Sequence, residues 1–93
     1  MRFRAEPVAL RLTHGLDPVT LVYHRRSGIT HMLVEPVPQI LTALDDLGAA
    51  DAAMVAHRLA ETFDLEADGA AEAVIAARLE ELAALGLVVR ETA

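Results

Sequence analysis

The stretch Ile29-Thr30-His31-Met32-Leu33-Val34-Glu35-Pro36-Val37-Pro38-Gln39-Ile40-Leu41 changes its hydrophobic period halfway along. Up to Val34 it is rich in β-formers. Beyond Pro36 the residues Ile40, Leu41, Leu44 and Leu47 fall at i, i+1, i+4 and i+7, which lines up one stripe of a helix. Pro38 suits the first turn of that helix, where its missing N–H costs nothing. Strands are therefore expected before this corner and helices after it.

Towards the N-terminus, Ser27-Gly28 separates residues 29–34 from the β-prone run Leu21-Val22-Tyr23-His24, and a glycine between two such runs is a hairpin signal. Two registers are open. A two-residue turn sets His24 opposite His31, whereas a three-residue loop, the favoured reading, sets Tyr23 opposite His31. One step of slip exchanges the faces of one strand relative to the other. Further back, Val8, Leu10 and Leu12 alternate with Ala9 and Arg11 as a half-buried strand would, and His14-Gly15-Leu16-Asp17-Pro18 reads as a turn.

Towards the C-terminus, Gly48 stops the first helix and Asp51 is the expected N-cap of a second. The inner face of that helix carries Ala52, Val55, Ala56, Leu59 and Phe63. Asp68 is the expected cap of a third helix, whose stripe is Ala71, Val74, Ile75, Leu79, Leu82 and Leu85. Gly86 ends it, and Leu87-Val88-Val89 is a short extended piece folding back on the core. The expected fold is α+β: a three-stranded antiparallel β-meander (residues 8–12, 20–25 and 29–34) followed by three helices (38–47, 51–63 and 69–85). Its architecture is winged helix-turn-helix-like, in one domain over residues 1–93.

Composition excludes several functions. The chain has no cysteine, which removes disulfide scaffolds, thiolate zinc sites and cysteine nucleophiles. Residues 1–34 hold five arginines and two acids (+3), while residues 35–93 hold three arginines and twelve acids (−9). An acidic chain repels a phosphate backbone. The N-terminal residues are too broken by charge for a signal peptide, and no stretch is apolar for the length of a membrane span, so cytoplasmic residence is expected.

The residues that could carry chemistry do not converge in the sequence. His14, His24, His31 and His57 stand in no recognised ligand motif, so neither a metal nor another cofactor is expected. The acids fall at helix ends and on outer faces, and Ser27 lacks the surroundings of a nucleophile elbow. No active site emerges, and the chain reads as a non-enzyme. A helix-turn-helix also raises DNA binding, but the third helix offers only Arg78 among Glu72, Glu80 and Glu81, and the second only Arg58.

The segment Tyr23-His24-Arg25-Arg26-Ser27-Gly28-Ile29-Thr30-His31-Met32-Leu33 carries a resemblance. Followed by Ile40-Leu41, an Ala-rich helix ending near Phe63-Asp64, and Leu82 through Leu85-Gly86-Leu87-Val88, it resembles the PqqD family. More narrowly, it is similar to the small PqqD relatives encoded with HPr-kinase-like proteins. The likeness runs from about residue 8 to residue 89, and its most specific phrase is Ser-Gly-x-Thr-His-x-Leu. It departs at Val34-Glu35-Pro36, where the family usually carries an asparagine.

The resemblance implies a peptide chaperone, or RiPP recognition element. Such a domain binds the leader of a ribosomally made precursor peptide and presents it to a modifying enzyme. In that family the leader adds as an extra strand beside the third β-strand and lies against the third helix. Carried onto this chain, the implied edge is Ile29, Thr30, His31, Met32, Leu33 and Val34, with a groove wall of Ala71, Val74, Ile75 and Arg78. The implied partners are the leader peptide and the modifying enzyme. An exposed edge also admits a homodimer that pairs or swaps this strand. The alternative functions are a winged-helix transcription regulator and a purely structural dimer subunit.

Overall fold

Near the two ends of the chain, two strands pair with each other. The computed structural model describes residues 1–63 and 69–91. In it β1 (Arg2–Ala5) runs antiparallel to β5 (Val88–Glu91), with Phe3 opposite Arg90. Phe3 also exchanges both backbone hydrogen bonds with Ala50, at 2.8 and 2.9 Å, which stitches β1 to the link between the first two helices. The alternation Arg2-Phe3-Arg4-Ala5 explains the placement: Phe3 and Ala5 are buried while both arginines are exposed. This small sheet was not expected from the sequence, apart from the extended character of residues 87–89.

A second sheet has the order β2-β3-β4, formed by β2 (Arg11–Leu16), β3 (Val19–His24) and β4 (Ile29–Val34). The meander is as expected, with two corrections. Residues 8–12 do not form its first strand: Val8–Leu10 is a 3-10 turn and the strand begins at Arg11, so His14, Gly15 and Leu16 lie in it and only Asp17 and Pro18 make the turn. Val8 and Leu12 are exposed, and the buried side chain is Arg11, held by a Nε hydrogen bond to the Glu6 carbonyl and an ion pair with Asp45. The alternation of Val8, Leu10 and Leu12 therefore does not mark a core face.

The second correction is the hairpin register. Four residues, Arg25 to Gly28, form the loop, so His24 faces Ile29 and Val22 faces His31. Neither a two- nor a three-residue turn is present. Gly28 takes a φ of 71° and donates its N–H to the His24 carbonyl at 2.8 Å, closing a wider turn than a tight hairpin would.

The helices are α1 (Val37–Leu47), α2 (Ala52–Phe63) and α3 (Gly69–Ala84). Asp51 caps α2 as expected, its Oδ1 accepting the Met54 N–H at 2.8 Å. The expectations for the Phe63 side chain and for Asp68 as a cap lie outside the described residues. The core gathers Ile40, Leu41 and Leu44 of α1, Val55 and Leu59 of α2, and Ile75, Leu79 and Leu82 of α3 beneath Val22 and Leu33 of the meander. Each such side chain contributes about 1.5–3 kcal/mol by leaving water. Val74 and Leu85, expected in the α3 stripe, are instead exposed. Val74 lies on the flank of α3 next to its core stripe, and Leu85 just past its end. Among the described residues no helix is long and apolar enough to cross a membrane.

Candidate functional site

The backbone of β4 has one side paired and one side open. The Arg25 N–H donates to the Leu10 carbonyl at 2.8 Å, continuing the β2–β3 ladder past its last pair. In an antiparallel ladder successive residues turn their N–H and C=O to opposite sides. Residues 25, 23, 21 and 19 therefore face β2, and residues 24, 22 and 20 face β4. Their partners Ile29, His31 and Leu33 face back to β3. Thr30, Met32 and Val34 are left with N–H and C=O directed out of the sheet. Because β4 is the last strand of its sheet, three donors and three acceptors line that edge.

A cleft lies along this edge. Its volume is about 270 Å³. Met32, Leu33, Val34 and the corner Glu35-Pro36-Val37 form one wall, and Arg78, Glu81 and Leu82 of α3, with Leu85 just past its end, form the other. The cleft exists because α3 packs chiefly on α2 and β5, not on β4. Its walls are largely apolar. The exceptions are Glu35, which accepts a hydrogen bond from Gln39 Nε2 at 3.3 Å, and the pair Arg78–Glu81, joined by an Nη2 hydrogen bond to Oε1 at 2.9 Å and an Nε–Oε2 contact of the same length.

The residues singled out in the sequence divide between this cleft and the core. Met32, Leu33, Val34 and Arg78 line it. Thr30, Met32 and Val34 have exposed side chains on the outer face of the sheet, Met32 most of all at 72%. Ile29, His31 and Leu33 point to the inner face, where Leu33 is buried, His31 half-buried and Ile29 exposed. The His31 Nε2 is fully buried without a hydrogen-bond partner. Ile75 is a core residue, 4% exposed, and does not line the cleft. Nor do the half-buried Ala71 and the exposed Val74, which precede the lining segment of α3 by one to two turns. Sequence reasoning missed Glu35, Pro36, Val37, Glu81, Leu82 and Leu85. The flank spacing Arg78, Glu81, Leu85 would have found the helical part.

A buried polar cluster fixes the hairpin end of β4. The His24 Nδ1 and Ser27 Oγ are 2.9 Å apart, and Ser27 Oγ accepts the Ile29 N–H at 3.2 Å. The other side of the ring puts Nε2 3.5 Å from Glu6 Oε1, to which Arg26 also comes within 3.6 Å. These contacts tie the loop to the segment after β1. The last turn of α3 is close by, since a Cβ on Gly86 would lie 3.3 Å from His24 Cε1. Among the described residues no three His, Asp or Glu side chains converge as a metal site.

At the opposite edge of the sheet β2 directs Thr13 and Gly15 outwards beside a groove of about 420 Å³ shared with α1, lined by Val8, Val22, Pro38 and Leu41 together with Thr20, Thr42 and the Arg11–Asp45 pair.

No protein-family model and no curated protein matches this sequence. Two solved structures do match the fold. TbiB1 in complex with the TbiA(beta) leader peptide superposes with a TM-score of 0.71 at 12% identity, over 97% of this chain and 99% of that one. A lasso peptide synthetase B1 complexed with the leader peptide gives 0.68 at 26% identity, over 95% and 98%. This chain therefore has, over nearly its whole length, the α+β fold of two proteins whose structures hold a leader peptide.

Proposed function

We propose that this chain is a PqqD-like leader-peptide-binding module, a RiPP recognition element that captures the leader of a ribosomally made precursor and presents it to a modifying enzyme. It performs no chemistry itself. The observation that carries this reading is the open row of Thr30, Met32 and Val34 backbone groups beside an apolar cleft. A guest strand satisfies those groups about 4.8 Å from β4 and alternates its own side chains between the cleft and the outer face. Leu33, Val37, Leu82 and Leu85 receive the inward ones. Two or three apolar anchors at ~1.5–3 kcal/mol each, less the cost of ordering the peptide, correspond to roughly micromolar to sub-micromolar affinity.

The leader-bound state of both solved relatives supports the same reading. The transcription-regulator alternative fits less well. On the helix-turn-helix pair Arg58 bonds to Asp46 and Arg78 to Glu81, so these cations are already engaged by carboxylates. The experiment is a titration of the ¹⁵N-labelled chain with synthetic leader peptides and, separately, with duplex DNA. Saturable peptide binding that moves the amides of residues 29–34 supports the proposal. Strongly salt-dependent DNA binding without peptide binding would replace it.

A further inference from the structure

The outer face of the β2-β3-β4 sheet has no covering layer. Its side chains are Leu12, His14 and Leu16 from β2, Val19, Leu21 and Tyr23 from β3, and Thr30, Met32 and Val34 from β4. Leu12, Leu16, Tyr23, Met32 and Val34 are all exposed, and no charged carboxylate or guanidinium interrupts them. Helices cover the other face, so half of the meander is built like the inner layer of a sandwich whose second layer is missing. Charges stand only at its two ends. Arg25, kept on the Tyr23 side by its ladder bond to Leu10, marks one end, and Asp17, in the β2–β3 turn, marks the other. Neither Arg25 nor Asp17 makes an ion pair among the described residues.

We propose that this face is a self-association surface on which a second copy of the chain packs about a two-fold axis. The charge pattern selects that occupant. A two-fold axis lying in the interface plane, perpendicular to the strands, sets the strands of the two copies antiparallel, so the cationic end of each copy meets the anionic end of the other over a length of about 20 Å. Face-to-face packing at the usual sandwich angle keeps the apolar residues in register. The footprint is roughly 300 Å² per copy, so the two copies bury roughly 600 Å², below the ~1,000 Å² of a stable interface and in the range of a transient one. The dimer is accordingly weak and concentration-dependent. It leaves both β4 edges open, so it is distinct from a strand-swapped or edge-paired dimer and independent of the peptide-binding proposal.

Sedimentation equilibrium on the full chain between about 10 µM and 1 mM tests the proposal, a range matched to so small an interface. The weight-average mass is expected to climb from one copy towards two. Leu16→Glu, exposed and remote from β4, is expected to weaken association at least tenfold without altering the circular dichroism spectrum, because it places a charge in the apolar contact. Arg25→Asp weakens it as well, and adding Asp17→Arg in the same chain restores it. A wild-type chain that stays monomeric at 1 mM overturns the proposal. So does a dimer indifferent to Leu16→Glu, which would be built through a strand edge, and so does failure of the charge exchange to restore association.

Discussion

His31 sits directly opposite Val22 in the β3–β4 ladder, not opposite Tyr23 or His24. That single pairing decides which half of β4 faces solvent. With His31 turned towards β3, its neighbours Thr30 and Met32 present their backbone groups to the open edge, and Val34 continues the row. The two hairpin histidines share the inner face without pairing: His24 meets Ser27 through Nδ1 and lies 3.5 Å from Glu6, His31 lies further along the strand, and the Nε2 of each is buried without a hydrogen-bond partner.

Proline at either Thr30 or Met32 removes an outward N–H and sets a ring in the path of a guest strand, while leaving the β3–β4 bonds in place. Each substitution is expected to weaken leader binding at least tenfold, since one backbone hydrogen bond contributes about 1 kcal/mol and the ring adds a clash. Thr13→Pro, the equivalent change on the β2 edge, should leave binding within a factor of about two. Calorimetric titration reads all three, and circular dichroism checks that the helices persist.

The wall of the cleft separates binding from stability. Leu85 is exposed, so Leu85→Asp should lower peptide affinity by roughly tenfold or more with little change in melting temperature. Ile75→Ala should do the reverse, costing about 2–5 kcal/mol in denaturant unfolding through a core cavity while the folded fraction binds normally.

Gly86 answers two demands. Its φ of 83° belongs to the left-handed region, and a Cβ there would press on His24 Cε1 at 3.3 Å. The ring cannot give way readily, because Ser27 and Glu6 flank it. Gly86→Ala is expected to destabilise by about 1–3 kcal/mol in urea unfolding and to shift the amide resonances of the 24–29 loop.

The pair Glu80–Arg90 fastens β5 to α3. Hydrogen bonding by Arg90 holds the Glu80 carboxyl below its ordinary range, and the same contact raises Arg90. Because the folded value is depressed, any stability this exposed pair adds is present at neutral pH and fades as the pH falls through that lowered value. Carbonyl-detected NMR should give Glu80 a lower midpoint in the wild-type chain than in Arg90→Met. Equal midpoints would mean that the pair does not form in solution.

Much of the helical half was legible in the sequence. The stripe of Ile40, Leu41 and Leu44, the Asp51 cap and the stop at Gly86 depend on local spacing and capping chemistry, and each stands where expected. The strands were less legible because their faces depend on partners distant in sequence. Arg11 is buried where Leu12 is not, a reversal made tolerable only by Asp45 and the Glu6 carbonyl. Strand β1 is four residues long, and its partner β5 lies at the other end of the chain. The edge at residues 29–34 was an expectation carried by the family resemblance, and β4 is the last strand of its sheet. The position of the cleft along α3 was not readable, because Val74 and Arg78 share a flank, and only tertiary packing decides which turn faces β4.

Amide hydrogen exchange with and without leader peptide addresses strand addition most directly. In the free chain Ile29, His31 and Leu33 should exchange slowly once the β3–β4 ladder forms, and Thr30, Met32 and Val34 quickly. Saturating peptide is expected to slow Thr30, Met32 and Val34 by an order of magnitude or more, leaving Thr13 and Gly15 unchanged. Protection at Thr13 and Gly15 instead, or binding that leaves the alternating pattern along β4 untouched, would contradict the assignment of this edge.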